Sequence, residues 1–163
     1  MNNTPFTTQN SLPPATRAQV AAMLNQSLAD LSDLYSQTKQ AHWNVRGRLF
    51  YSLHKLFDDL AAAVEGHLDD IAERVTALGA LARGTIRQAA ASSRLAEFPD
   101  EQAGELAYAI ALSERFALCA NTTRKAIDET SALGDADTAD LLTAVSRDLD
   151  KALWMIEAHT RGA

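Results

Sequence analysis

The sequence predicts an all-α protein: four long helices in one bundle, with a short helix in the middle connection. Three observations point there. Apolar residues recur at spacings of three and four over four long stretches, the period of a helix with one buried face. The composition favours helix, with only seven Gly and four Pro in 163 residues. Three of those Pro (Pro5, Pro13, Pro14) fall at the start and the fourth is Pro99, which leaves long stretches free of the strongest helix breaker. A chain of this length buries one sizeable core without staples.

Residues 1–15 are polar, Pro-bearing and aperiodic, and read as a flexible tail ahead of a single bundle domain over 16–161. Thr16 is a candidate N-cap for a first helix reaching about Val45, with Val20, Met23, Leu24, Leu28, Leu31, Leu34 and Tyr35 on its apolar face. Gly47 supplies the stop. A second helix spans about Phe50 to Leu78, carries Leu53, Phe57, Leu60, Val64, Ile71 and Val75, and ends at Gly79. The linker 80–100 is polar and holds one short helix around Ile86 to Ser93. Asp100 is the expected cap of a third long helix to about Thr130, with Ile110, Leu112 and Phe116 turned inward. Gly134 breaks it, and a fourth runs from about Asp137 to His159. A linker of this length can return the chain to its starting end, which makes the second and third long helices parallel.

Charge and cysteine content narrow the function classes. The formal net charge of −6 argues against a nucleic-acid binder and suits an assembly that attracts cations. The one cysteine, Cys119, sits among Ala117, Leu118 and Ala120, the setting of a buried structural thiol in a reducing compartment. No apolar run is long enough for a bilayer and MNNTPFTTQN shows no secretory pattern. The expected place is the cytoplasm, free or at the nucleoid, with no membrane partner.

The chemistry concentrates on the second helix. His54, Asp58, Asp69 and Glu73 fall at about 0°, 40°, 60° and 100° around its axis, so they share one face. His54/Asp58 and Asp69/Glu73 are i,i+4 pairs, the spacing at which two side chains reach one ion. Asp58 and Asp69 are about 16 Å apart along the axis, too far for one site within a chain. Yet His54/Glu73 and Asp58/Asp69 share a single midpoint, between Ala63 and Val64. Two copies packed antiparallel about a two-fold there bring His54 to the partner's Glu73 and Asp58 to the partner's Asp69, making two equivalent sites. Ala61, Ala62, Ala63 and Gly66 near the axis permit close approach. His42 returns alongside through the Gly47 turn. Imidazoles and carboxylates without thiolate suit Fe²⁺, Mn²⁺ or Zn²⁺. Asp59 and Asp70 beside the two Asp ligands also fit an ordinary charged face.

KQAHWNVRG (39–47), then His54-x-x-x-Asp58 and Asp69-Asp70-Ile71-Ala72-Glu73-Arg74, closely resemble the Dps family of mini-ferritins, and the likeness continues through GDADTADLL (134–142) and SRDLDKALWMIE (146–157). The resemblance implies a ferritin-like bundle in a hollow shell of twelve subunits built from two-fold dimers. It implies a ferroxidase, an oxidoreductase acting on metal ions, in which His42, His54 and Asp58 of one subunit join Asp69 and Glu73 of its partner to bind iron. The oxidant is hydrogen peroxide in preference to dioxygen, ferric mineral is stored in the shell, and oxidative damage is limited. Trp43 lies beside the iron centre by resemblance, where it can intercept radicals; as a residue it is equally a core aromatic. By resemblance the stretch with Asp135, Asp137 and Asp140 lines an iron-entry pore, where at least one of them guides Fe²⁺ inward; by position they are helix caps and dipole partners. His67 falls off the metal face, and His159 reads as a helix-end cation.

Several Dps proteins condense DNA through Lys-rich tails. This tail has no Lys and only Arg17, and twelve copies at −6 each carry about −72, so DNA binding is expected to be weak or absent; Arg46, Arg48, Arg83, Arg87 and Arg94 could form a local patch or equally be structural ion pairs. A conventional ferritin site needs Glu-x-x-His elements, and this chain contains none. The remaining alternative is a DNA-compacting or structural helical shell that holds metal with little turnover.

Overall fold

The computed structural model describes residues 6–100, 104 and 106–161, and helix is the only regular structure among them. Five helices follow in order: α1 (Pro14–Asn44), α2 (Phe50–Ala77), α3 (Ile86–Ser92), α4 (Ala107–Ala132) and α5 (Ala136–Thr160). The four long ones and the short crossover helix are those the periodicity predicts.

The ends differ in two places. α1 starts at Pro14, with Pro13 at the cap position and no side-chain cap, rather than at Thr16. Pro at the first helical position already has the helical φ and lacks the N–H that would otherwise go unpaired. Residues ahead of it run over the end of α2, with Phe6 N–H donating to Gly79 O (3.4 Å) and Leu12 against the core. Asp100 does not cap α4, which begins at Ala107 behind Leu106; Gly104, at φ 107°, turns the chain between them. Residues 101–103 and 105 of the expected helix start lie outside the described residues. Ile110 is half exposed rather than inward.

α1 and α2 form one antiparallel hairpin, α4 and α5 the other. Gly47, Gly79 and Gly134 hold positive φ at the helix ends, where a residue without Cβ adopts the left-handed conformation freely. The core combines Leu24, Leu31 and Leu34 of α1 with Leu53, Phe57 and Ile71 of α2, Leu112 and Phe116 of α4, and Leu142, Leu149 and Ile156 of α5, all essentially inaccessible. Each such side chain contributes about 1.5–3 kcal/mol when buried.

A stripe of polar side chains on α1 fastens the crossover. Asn25 donates to Leu81 O and accepts from Arg83 N–H. Gln26 donates to Ser92 O. Buried Asp30 accepts from the backbone N–H (2.8 Å) and Nε (2.9 Å) of Arg94. Gln37 donates to Ala96 O and accepts from Arg115. The crossover thus climbs α1 from its N-terminal to its C-terminal half, delivering α4 to the end where α2 began. α2 and α4 therefore run parallel, as expected. α3 carries its own cap: Thr85 and Gln88 form a reciprocal capping box.

Candidate metal centre

The hairpin between α1 and α2 brings His42 against His54. Each imidazole Nδ1 sits on the other residue's backbone carbonyl, His42 Nδ1 at 2.8 Å from His54 O and His54 Nδ1 at 2.9 Å from His42 O. A carbonyl only accepts, so both Nδ1 atoms carry the proton and both Nε2 atoms present a lone pair. That tautomer follows from the hydrogen-bond partners and is the one a metal ligand needs. The rings stack at 3.8 Å between centroids, 20° from coplanar. The Phe50 ring stands 5.0 Å from that of His54, tilted by 30°. His42 is buried.

Asp58, one turn beyond His54, joins them: its Oδ1 is 3.9 Å from His42 Nε2. The same oxygen accepts from Lys39 Nζ at 2.7 Å. That hydrogen bond is the main reason the Asp58 carboxyl titrates below the usual carboxylate range, burial acting in the opposite direction. Lys39 lies three residues before His42, on the same side of α1. The spacing was legible in KQAH, but the ion pair to a residue nineteen positions away was not.

Asp69 and Glu73 point outward from α2, exposed and remote from the histidines. Among the described residues no group of three His, Cys, Asp or Glu side chains within the chain is arranged to hold a metal. The structure therefore brings together His42, His54 and Asp58, and does not bring Asp69 and Glu73 to them within one subunit. Between the two sets α2 exposes the small Ala62, Ala63 and Gly66 together with the charged Asp59 and Glu65, and a Cβ added at Gly66 would meet nothing within 4 Å. Ala61 faces the core instead.

Trp43 is 67% exposed, which excludes packing in the core of the subunit. It lines an apolar groove of about 410 Å³ that also includes Lys39, Tyr35, Leu68 and Ile86. Ile86 is 88% exposed at its rim.

The acidic cluster at the start of α5 divides. Asp135 is buried and caps α5: it accepts from Thr138 N–H (3.1 Å), Thr138 Oγ1 (2.6 Å) and Arg74 Nη2 (2.7 Å). Its carboxylate is occupied within the subunit, as the capping reading of this residue expects. Asp137 and Asp140 remain exposed. His67 Nε2 donates to Asp148 Oδ2 at 3.0 Å on α5, off the metal face. His159 pairs through Nδ1 with Met155 O. Arg94 is committed to Asp30, the structural ion pair that was the alternative to a basic patch for this residue. No described helix is long and apolar enough to cross a membrane.

Comparison with known proteins agrees with this architecture. A model of the ferritin-like domain matches residues 21–162. A DNA protection during starvation protein of Agrobacterium fabrum is 43% identical over 154 residues, 94% of this chain and 95% of that protein. Among solved structures, DpsC from Streptomyces coelicolor superposes with a TM-score of 0.94 at 30% identity, covering 100% of this chain and 95% of that one. The fold is shared with a Vibrio cholerae Dps protein, described as a member of a broad superfamily of ferritin-like diiron-carboxylate proteins, at a TM-score of 0.87 and 24% identity over 95% of this chain and 98% of that one.

Proposed function

Because the chain belongs to the ferritin-like proteins, in the Dps family, we propose that it sequesters iron by oxidising Fe²⁺ at sites shared between two-fold-related subunits. The observation that carries this is the crossed His42/His54 pair, with both Nε2 lone pairs presented beside Asp58. That half-site offers two neutral nitrogens and one carboxylate. Antiparallel pairing of two α2 helices about the Ala63–Val64 midpoint would add the partner's Asp69 and Glu73. The small, exposed Ala62 and Gly66 suit that pairing.

Iron is the substrate. The imidazoles hold Fe²⁺ and the three carboxylates supply the negative charge that Fe³⁺ requires. Two Fe²⁺ give up one electron each to hydrogen peroxide, the preferred oxidant. Its O–O bond breaks, its oxygens leave with the ferric product, and water supplies the remaining oxide with release of four protons per peroxide. The product collects inside a shell of twelve subunits, to which Asp137 and Asp140 admit Fe²⁺ through a pore. Trp43, exposed beside the site, intercepts stray oxidising equivalents.

Anaerobic loading of the sized oligomer with Fe²⁺, followed by a peroxide pulse read by ferric absorbance, tests the reading. Fast oxidation in wild type and its loss in an assembled Asp58→Ala variant is expected. Equal rates would reduce the constellation to surface charge and favour a DNA-compacting or structural shell. With Arg94 committed and a net charge of −6, DNA binding near neutral pH is expected to be weak or absent. A salt-sensitive gel shift at micromolar protein or below would overturn that.

A further inference from the structure

Lys39 is not among the proposed iron ligands, yet it touches one of them. Its Nζ sits 2.7 Å from Asp58 Oδ1, and that oxygen is the one facing His42 Nε2, 3.9 Å away. An ion bound by both His42 Nε2 and Asp58 Oδ1 lies about 2.0–2.2 Å from each. It then competes with the ammonium for the same oxygen and meets a like charge at short range. The ammonium is not held there by chance of a loose side chain: only 21% of the Lys39 side chain is exposed, so its stem is confined by packing. It also has a place to go. The groove beside it, lined by Lys39 together with Asp33, Ser36 and Trp43, is open and holds about 410 Å³. Trp43 follows Lys39 by four residues on α1, on the same side of the helix, and an indole face accommodates a cation.

We propose that Lys39 is a built-in counter-cation of the iron site, occupying Asp58 when the site is empty and displaced into the groove when a divalent ion enters. It rests on the iron-site reading above and adds that loading is an exchange of cations at Asp58. Lys39 keeps the empty half-site neutralised and sets its affinity for divalent metal: ions that bind carboxylate weakly do not displace the ammonium, whereas ions that also gain His42 and His54 do.

The opposite possibility is that Lys39 merely props Asp58 in position, and the two differ in sign. Calorimetric titration of the assembled protein with Co²⁺, without oxidant, separates them. Lys39→Met keeps most of the apolar stem and removes the charge, and is expected to tighten Co²⁺ binding about three- to tenfold, the range of a partly exposed charge-assisted hydrogen bond. Lys39→Arg keeps a cation whose fork matches a carboxylate, and is expected to bind no more tightly than wild type. Binding in Lys39→Met that is equal to wild type or weaker overturns the proposal. Asp58→Asn in the same titration guards the premise: if wild type takes up no Co²⁺, or Asp58→Asn binds as well as wild type, the metal site itself is misassigned. Asp58-dependent binding that Lys39→Met leaves unchanged dismisses Lys39 alone.

Discussion

At the scale of single residues, burial and one ion pair set the chemistry of two groups in opposite directions. Cys119 lies in the core and burial pushes its thiol up to about 12. It therefore stays protonated throughout the neutral range and has little thiolate to offer. Native protein at pH 8 is expected to resist a thiol-reactive disulfide reagent, with labelling appearing only in denaturant; rapid stoichiometric labelling of folded protein would show that the core opens. Asp58 moves the other way, held below the ordinary 3.8 by Lys39. Its pair with Lys39 contributes stability above the unfolded value and loses it as pH falls through the lower folded value. A side-chain carbon titration of Asp58 is expected to have its midpoint below 3.8. That midpoint should rise in Lys39→Met, and an unchanged one would mean that the ion pair does not persist in solution.

At the scale of elements, the crossover depends on α1. Asp30 is 2% exposed and accepts from Arg94 and from Gln26, so removing it strands the Arg94 backbone N–H and breaks a buried ion pair. Asp30→Ala is expected to cost about 2–4 kcal/mol, read as a lower urea midpoint, with amide exchange accelerating first around Ser92 to Phe98. A loss confined to global stability, without that local acceleration, would contradict the clamp. The same elements show what can be read from sequence. Helix number, the short α3 and the breaks at Gly47, Gly79 and Gly134 were legible because apolar period and breakers are local signals. The polar stripe Asn25, Gln26, Asp30 and Gln37 was not, because its partners lie 56 to 66 residues away in a segment that looks like a loop. The half-site follows the same rule. His54 and Asp58 could be paired by spacing and His42 by the hairpin, but the crossed Nδ1 hydrogen bonds and Lys39 depend on how α1 and α2 meet. Asp135 was legible as a helix cap from its place after Gly134, but its pairing with Arg74, 61 residues earlier, was not.

At the scale of the whole molecule, the proposed site makes a demand on the outward face of α2 that the single subunit does not meet. Among the described residues Asp69 and Glu73 belong to no group of three side chains that could hold a metal, and the helix between them and His54 exposes Ala62, Ala63 and Gly66 beside Asp59 and Glu65. A glycine in the middle of an exposed helix costs about 1 kcal/mol relative to Ala, and Gly66 has no crowding within its own subunit to require it, since a Cβ there touches nothing within 4 Å. Under the proposed two-fold pairing, close approach of a second α2 would supply the reason. Gly66→Ala and Gly66→Trp separate the two influences. In the subunit both remove the helix cost, so both variants are expected to keep native helicity. Against a partner helix, the methyl group of Ala is small while an indole holds the two axes well beyond the 8–10 Å at which helices pack. Gly66→Trp is therefore expected to lose the two-fold dimer in light scattering and, with it, the Co²⁺ binding that needs Asp69 and Glu73 of the partner, whereas Gly66→Ala retains most of both. Gly66→Trp that still assembles and binds like wild type would show that subunits do not meet through this face. The ligand set would then have to be completed by side chains elsewhere on the shell.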